Sequence, residues 1–331
     1  LPTVRRNHKI VAYNGYLFLT GGNSDGTNQL STAYSAKINS DGTIAASWTA
    51  VTSLPQTLGY HQILGHNGYL FITGGLTGSV TRVSKVYSAP VLSDGLLGAW
   101  ATLTDLPTTI RSQHKSFIYN NYVFVLGGHD GTNALSTAYS APIKGDGTVG
   151  AWSAALTNLP ALIYDHSGGF YNGYFYLLGG NNAGSNSSTV YSVKVNTDGT
   201  LASTWATLNT LPVVLFQGGG SVSNGYLFAV PGVTVSTVYS TPLQSTAFAL
   251  NTTNTFSAGN LFDLWNNGSS KFTVDYAGSI STAGSFVSNV TQQLDGITGS
   301  YSTLTNLPTT LYSHGSVAYN GYVFTVGGHN G

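Results

Sequence analysis

The 331-residue sequence predicts an all-β fold built from repeated four-stranded antiparallel units. The first observation is a recurring string of Asn-Gly-Tyr, apolar residues and Gly-Gly. The second is its spacing, which is near 50 residues and therefore typical of a repeat architecture. The Asn residues of the six copies are Asn14, Asn67, Asn120, Asn172, Asn224 and Asn320, separated by 53, 53, 52, 52 and 96 residues. The third is an Asp-Gly pair later in the unit, such as Asp41-Gly42.

The turn pairs divide each unit into strands. Asn-Gly and Asp-Gly favour tight hairpin turns, because both central residues of a type I′ turn need a positive φ. In the first unit, strand A runs from Leu1-Pro2 to Asn14-Gly15, and strand B from Tyr16 to Gly21-Gly22. Strand C covers residues 31–35, and strand D covers the segment around Trp48. We therefore expect a four-stranded meander in each unit.

Such units bury both faces only when they are stacked radially, as in a β-propeller. The Gly-Gly doublet, followed by a Tyr and then a Trp, resembles kelch repeats of the bacterial or extracellular type. The Tyr and Trp pairs are Tyr34 and Trp48, Tyr87 and Trp100, Tyr139 and Trp152, and Tyr191 and Trp205. The resemblance implies a six-bladed kelch-like propeller. Its first five blades are expected over residues 1–53, 54–105, 106–158, 159–210 and 211–246.

The remaining residues, 291–331, are expected to complete blade 5 and to form only strands A and B of blade 6. An open blade leaves an unpaired strand edge, which natural proteins normally cover. Either the native chain continues beyond Gly331, or strands of another chain complete the blade. The second alternative implies self-association.

An insertion over residues 247–290 interrupts blade 5. Asn267-Gly268 separates an apolar segment from residues that alternate at a spacing of two, so a small β-meander is expected. The segment resembles short β-repeats of phage tail fibres and bacterial surface stalks. It is either a hairpin folded onto its own blade or an interaction module. The expected interaction residues are Phe262, Trp265, Phe272 and Tyr276.

Composition excludes several functional classes. Charged residues make up 7% of the chain and cancel to zero, which disfavours nucleic-acid binding, since phosphate neutralisation needs clustered Lys and Arg. The absence of Cys excludes thiol chemistry, and no apolar run is long enough to span a membrane. A surface polar through hydroxyls and amides favours an extracellular or cell-surface location. No cofactor or metal is expected.

Five histidines lie six residues before the Asn of their own turn. They are His8, His61, His114, His166 and His314, and Gly218 takes the place in the fifth unit. They could ring a central channel as metal ligands or proton carriers. The alternative is that they pack between blades and bond to neighbouring backbone.

Residues that vary between units should line one mouth of the channel. Their tyrosines, amides and few charges suit a glycan or protein ligand. The expected ligand-binding residues are Arg6, Asn7, Asn23, Asp25, Tyr60, Arg111, Gln113, His129, Asp130, Tyr164, Asp165, Asn181, Gln217 and Tyr312.

These residues predict a non-catalytic, adhesin-like recognition protein, with a structural subunit of an extracellular assembly as the alternative. The chain has no Glu and no visible arginine cluster, so the catalytic set of sialidase-type propellers is missing. Asp165 beside His166 is the one local acid–base pair near the expected mouth, which keeps a carbohydrate-active enzyme as a third, unlikely alternative.

Overall fold

The fold of the chain is all-β. The computed structural model describes residues 1–107, 111–182, 184–223, 225–230, 237–245, 260–266, 269–275, 280–282, 294–298, 302–303, 307, 313–319 and 322–328. Within these ranges every regular element is a strand. None of the described segments forms a helix with the length and apolar character needed to cross a membrane.

The strands follow the sequence repeats. The first repeat contains β1 (Lys9–Tyr13), β2 (Tyr16–Thr20), β3 (Ala33–Lys37) and β4 (Thr49–Val51). The second contains β5 (Gln62–His66), β6 (Tyr69–Thr73), β7 (Leu76–Thr77), β8 (Thr81–Arg82), β9 (Val86–Pro90) and β10 (Ala101–Thr102). The third contains β11 (Lys115–Tyr119), β12 (Tyr122–Leu126) and β13 (Ala138–Pro142).

The later repeats use the same pattern. The fourth contains β14 (Ile163–Tyr164), β15 (Ser167–Tyr171), β16 (Tyr174–Leu178), β17 (Asn181–Asn182), β18 (Ser185–Asn186), β19 (Val190–Lys194) and β20 (Ala206–Thr207). The fifth contains β21 (Gly219–Ser223), β22 (Tyr226–Val230) and β23 (Tyr239–Ser245). After the insertion with β24 (Asn260–Asn266), β25 (Ser269–Asp275) and β26 (Ile280–Thr282) come β27 (Leu294–Thr298) and β28 (Ser302–Thr303), then β29 (Gly315–Tyr319) and β30 (Tyr322–Val326) of the sixth repeat.

Three repeats form the expected four-stranded antiparallel sheets: β1-β2-β3-β4, β5-β6-β9-β10 and β15-β16-β19-β20. The sheet of the third repeat is an exception, because its described part has only β11, β12 and β13. The segment after Trp152 still bonds to β13, since the Ser153 amide donates to the Ser140 carbonyl at 2.7 Å. Strand A is also shorter than expected: β1 begins at Lys9, and the residues from Leu1 to His8 run outside the strand.

The first strands of the repeats contact one another in a closed cycle. β1 contacts β5, β5 contacts β11, β11 contacts β15, β15 contacts β21, β21 contacts β29, and β29 contacts β1. These antiparallel sheets, arranged around a ring of first strands, define a β-propeller-like fold. The second strand of each repeat contributes most of the hydrophobic core. Both faces of these strands are packed, so their sequences are continuous runs of apolar residues. In β2, Leu17, Phe18 and Leu19 are fully buried.

The repeat motifs make the contacts between neighbouring sheets. The ring of Tyr69 in β6 lies on Gly147, the glycine of the Asp-Gly turn in the next repeat, where a Cβ would overlap the ring. The same contact joins Tyr16 to Gly95, and Tyr322 to Gly42. The Asn-Gly-Tyr and Asp-Gly motifs recur because they fit one another across the interface.

The tryptophans bond across the same interfaces. The Trp100 indole donates to the Thr52 carbonyl at 3.0 Å, and the Trp152 indole donates to the Thr104 carbonyl at 3.2 Å. In both pairs the acceptor belongs to the preceding repeat. These two tryptophans therefore join the outer part of their own sheet to the sheet before it, in addition to filling apolar space.

Residues Ser245–Asp295 form a second compact unit, and the rest of the chain forms the first. The second unit contains the three-stranded antiparallel sheet β24-β25-β26, in the region where the sequence predicts a β-meander. Phe262 pairs with Val274, and Leu264 pairs with Phe272, with register shifts in β24. The predicted turn residues Asn267-Gly268 lie outside the described residues, between β24 and β25.

The Tyr–Gly contact predicts a graded effect of Gly-to-Ala substitutions. Gly147→Ala should lower the free energy of unfolding by about 2–4 kcal/mol, because it adds strain at φ +80° and a clash with Tyr69. Gly68 has φ +83° and open space around an added Cβ, so Gly68→Ala should lower the free energy of unfolding only by the backbone strain, about 1–2 kcal/mol. Urea unfolding measures all three proteins.

Gly145→Ala is the matched control, because it lies in the same turn region as Gly147 with no atom within 4 Å of its added Cβ. It should unfold like the unsubstituted chain. Equal losses for Gly68→Ala and Gly147→Ala would show that the Tyr69 contact contributes nothing.

Candidate functional site

In each repeat, one residue adopts a left-handed backbone conformation. It lies directly before the repeat histidine, or before the glycine that replaces the histidine in the fifth repeat. These six residues, here named the mouth ring, are Asn7, Tyr60, Gln113, Asp165, Gln217 and Ser313, with φ values of 57°, 55°, 58°, 50°, 52° and 55°. None is a glycine. A positive φ is sterically unfavourable for residues with a Cβ, and for Tyr60 it is a clear outlier.

Backbone hydrogen bonds hold the mouth ring together. Five of the six amides donate to the carbonyl of the equivalent residue in the preceding repeat. The donor–acceptor pairs are Tyr60 to Asn7 at 2.9 Å, Gln113 to Tyr60 at 3.0 Å, Asp165 to Gln113 at 2.9 Å, Ser313 to Gln217 at 2.9 Å and Asn7 to Ser313 at 3.1 Å. The strain is therefore compensated by hydrogen bonds between the repeats.

Side chains of the mouth ring also bond to one another. The Gln113 amide donates to Asp165 Oδ2 at 2.7 Å, and the Gln217 amide reaches the same oxygen at 3.5 Å. The Ser313 hydroxyl donates to Gln217 Oε1 at 3.4 Å. Asp165 is thus the acceptor at the centre of a side-chain network on one half of the ring.

The mouth ring surrounds one end of a central cavity of about 90 Å³. Its wall is made by the mouth ring and by the first residues of β1, β5, β11, β15, β21 and β29. By the same volume measure one water molecule needs roughly 10–15 Å³, so the cavity holds several waters or a small ion.

Two lysines and one carboxylate set the electrostatics of the cavity. Burial raises the pKa of Asp165 to about 6, although Lys9, Gln113 and Gln217 favour its ionised form. Burial also lowers the pKa of Lys115 to about 8, and Lys9 adds to this effect by repulsion. The pKa of Lys9 is lowered by burial and raised in part by Asp165.

The ring nitrogens of three histidines bond to the preceding sheet. His61 Nε2 shares a hydrogen bond with Thr20 Oγ1 at 2.8 Å, and His114 Nε2 with Thr73 Oγ1 at 2.9 Å. His8 Nε2 donates to the Val326 carbonyl at 2.9 Å. Burial lowers the pKa of His8 and His61 to about 3, so both are neutral at pH 7. This geometry supports packing between sheets rather than a metal ring.

Asp165 and His166 do not form a catalytic pair. The carboxylate bonds to Gln113, whereas the imidazole Cε1 of His166 lies against Gly127 of the preceding repeat. Burial lowers the pKa of His166 to about 3. Within the described part of the chain, no three metal-ligating side chains form a cluster.

Three of the predicted site residues lie at a separate depression of about 280 Å³, outside the mouth ring. Arg6 Nε donates to Asn23 Oδ1 at 3.2 Å, and Asn23 is only 2% exposed. Asp25 is exposed and accepts from the amides of Thr27 and Asn28. Asn23 therefore holds a loop in place, and Asp25 stabilises the next turn.

The prediction that Arg111 lines the mouth is wrong. Its side chain is fully buried, with the guanidinium donating to the Gly127 carbonyl at 3.1 Å and to Thr137 Oγ1 at 3.0 Å. It also lies over the Tyr139 ring at 5.2 Å. Burial lowers its pKa to about 10. The Arg111 guanidinium thus bonds within its own repeat and does not face a ligand at the mouth.

Residues of the third, fourth and fifth repeats form an aromatic rim. The Tyr164 ring meets the His129 ring edge-on at 5.1 Å and the Phe216 ring at 6.4 Å. Asp130 accepts from the amides of Thr132 and Asn133, so it stabilises its own turn.

Asn181 is also mainly structural. It is 6% exposed, and its amide donates to Asn186 Oδ1 at 3.0 Å. Tyr312 lies outside the described residues, as does Tyr276. Phe262, Trp265 and Phe272 are on β24 and β25 of the second unit.

Sequence reasoning missed Lys9 and Lys115. A signal was present, because both follow the repeat histidine directly in a chain with only eleven Lys and Arg residues. The residue after that histidine begins the first strand and lines the cavity. Gln62 has the same place in the second repeat.

These features define an all-β, propeller-like protein with a candidate site at its centre. The chain is similar to a solved structure described as "Structure of YjhT", with a TM-score of 0.65, 12% sequence identity, and coverage of 99% of this chain and 92% of that chain. At this identity the likeness shows the fold alone. No protein-family model matches the sequence, and no curated protein matches it significantly.

Burial of Asp165 predicts an unusual pH dependence of stability. An unfolded Asp has a pKa near 3.9, so between about pH 4 and pH 6 the folded chain retains a proton that the unfolded chain has released. Stability therefore falls as the pH rises through this window. Asp165→Asn removes the effect and should raise the free energy of unfolding at pH 7 by about 1–2 kcal/mol, after allowance for solvent access through the cavity.

At pH 4 the Asp165→Asn chain and the unsubstituted chain should unfold alike in urea. The control is Asp146→Asn, where hydrogen bonds from Thr148 lower the pKa of an exposed carboxylate. That variant should show no gain at pH 7. A constant difference between Asp165→Asn and the unsubstituted chain at both pH values would contradict the assignment.

Proposed function

We propose that this chain is a non-catalytic recognition module, a six-bladed kelch-type propeller that binds a glycan across the mouth ring. We place it outside the cell or on the cell surface, in keeping with its low charge and hydroxyl-rich composition. The proposal rests chiefly on one observation. Six side chains of five types are displayed by one repeated, hydrogen-bonded backbone geometry.

The blade number and repeat type are supported by the contacts between repeats. Six first strands touch in a closed cycle, with β29 against β1. The Gly-Gly, Tyr and Trp motifs that resemble kelch repeats lie at the interfaces. Gly21 of the first doublet, for example, packs against the Leu58 carbonyl and His61 of the second repeat, with no space for a Cβ.

The mouth ring favours recognition because its side chains are not needed for the fold. A glycine reaches a φ near 55° without steric cost, so glycine in every repeat would make the same backbone ring with less strain. The chain instead has Asn, Tyr, Gln, Asp, Gln and Ser at these positions. Strained residues of this kind cluster at functional sites. Variable side chains on a fixed scaffold are typical of binding surfaces.

The chemistry of the ring suits uncharged, hydroxyl-rich ligands. Two Gln amides, one carboxylate and one Ser hydroxyl provide donors and acceptors, and several still have free hydrogen-bonding capacity. Tyr60 and the rim residue Tyr164 provide ring faces on which a sugar can stack. Because the cavity beneath is small, the ligand would be held across the mouth, with only a substituent pointing inward.

We expect Tyr60→Gly to weaken glycan binding by tenfold or more while the chain stays folded. Glycine accepts the φ of 55° at this position, so the backbone ring survives and only the aromatic contact is lost. The measurement is a glycan array with the 331-residue chain, followed by calorimetric titration of the best ligand.

Asn14→Gly is the control, because Asn14 also has a positive φ of 48° but lies at the opposite end of β1 from the mouth ring. It should bind like the unsubstituted chain. Equal affinity of the Tyr60→Gly and Asn14→Gly chains for the glycan would contradict the proposed site. Binding restricted to peptides or proteins on a parallel array would contradict the proposed ligand class.

A further inference from the structure

Two lysine side chains line the cavity below the mouth ring. They are Lys9 and Lys115, which begin β1 and β11. In the described part of the chain neither makes a salt bridge, and the one ion pair found there joins Lys85 to Asp105. Both side chains are partly buried, and the desolvation of an ammonium group favours pairing with an anion. An anion in the cavity would provide that partner.

A neutral donor stands between the two lysines. Gln62 has the equivalent position in the second repeat, at the start of β5, and also lines the cavity. Three consecutive strands thus begin with long side chains ending in N–H donors. The equivalent residues of the fourth, fifth and sixth repeats are Ser167, Gly219 and Gly315, which are all small. The first three repeats therefore contribute N–H donors to the cavity wall, and the small residues of the last three repeats leave space opposite them.

The charges around the cavity leave it positive at pH 7. Lys9 and Lys115 provide two positive groups, and Asp165 provides one negative group. The cavity wall also includes His8, His114, His166 and His314, together with Tyr60. His8 and His166 have pKa values of about 3, and the pKa of His114 is well below its usual value. Asp165 is already occupied by the amide of Gln113, so it leaves the lysines incompletely neutralised.

We propose that this cavity binds one small inorganic anion of the size of nitrate or phosphate, held between Lys9, Gln62 and Lys115. The inference is independent of the glycan function, because it concerns the cavity wall beneath the mouth ring. Charge-assisted N–H donors at short range are the usual protein ligands of such anions. The volume of about 90 Å³ has room for one such anion together with water.

Calorimetric titration with inorganic phosphate at pH 7, in a buffer of bulky sulfonate ions, tests the proposal. The unsubstituted chain should bind one phosphate. Lys115→Met should weaken the affinity by about tenfold or more, because it removes a positive charge in a poorly solvated site. Lys194→Met is the matched control, since Lys194 is exposed on β19 and should leave the affinity unchanged.

Asp165→Asn provides a test that does not depend on a loss of function. It removes the negative charge from the cavity while keeping a side chain that suits a positive φ, so phosphate should bind several-fold more tightly. The proposal is overturned if the unsubstituted chain binds no phosphate, or if Lys115→Met and Lys194→Met have the same effect. An unchanged affinity in Asp165→Asn also overturns it, because the site would then lie elsewhere.

Discussion

The backbone ring of left-handed residues is the constraint on which the centre of this molecule depends. Five of the six ring amides donate to the previous repeat, so the ring fixes the spacing and angle between the first strands that it joins. The link between Asn7 and Ser313 joins the first repeat to the sixth, at 3.1 Å. Further contacts support this closure: His8 bonds to the Val326 carbonyl at 2.9 Å, and Tyr322 lies on Gly42. The backbone strain of the left-handed residues is thus offset by hydrogen bonds between repeats.

The same backbone geometry allows the side chains of the site to vary. Because the backbone of the ring is satisfied by its own hydrogen bonds, the side chains are free to differ from repeat to repeat. Those at the mouth are mostly uncharged, whereas the next layer inward contains Lys9 and Lys115. His61 and His114 bond to the preceding sheets, and burial lowers the pKa of both, so they are neutral at pH 7. Recognition at the mouth and anion binding below it are therefore separate proposals about two layers of one structure.

The sequence predicted the strands and most of the mouth residues, but not the backbone geometry at the mouth. The repeat spacing and the turn pairs predicted the first and second strands of the repeats, since tight turns have few alternatives. Asn7, Tyr60, Gln113, Asp165 and Gln217 were expected at the mouth and line the cavity, whereas nothing in the sequence indicated their left-handed backbone. Arg111 was misplaced because a charged side chain is normally exposed, and its burial depends on Gly127 and Thr137 from later in the chain.

Hydrogen–deuterium exchange at the mouth-ring amides tests the central claim most directly. Asn7, Tyr60, Gln113 and Asp165 lie outside the first strands, yet their amides should be protected as strongly as the strand amide of Leu19. The Gln217 amide, which has no backbone acceptor within the described residues, should exchange faster. Exchange of all these amides at the rate of the exposed loop residue Gly26 would contradict the account, because the ring would then not hold the repeats together.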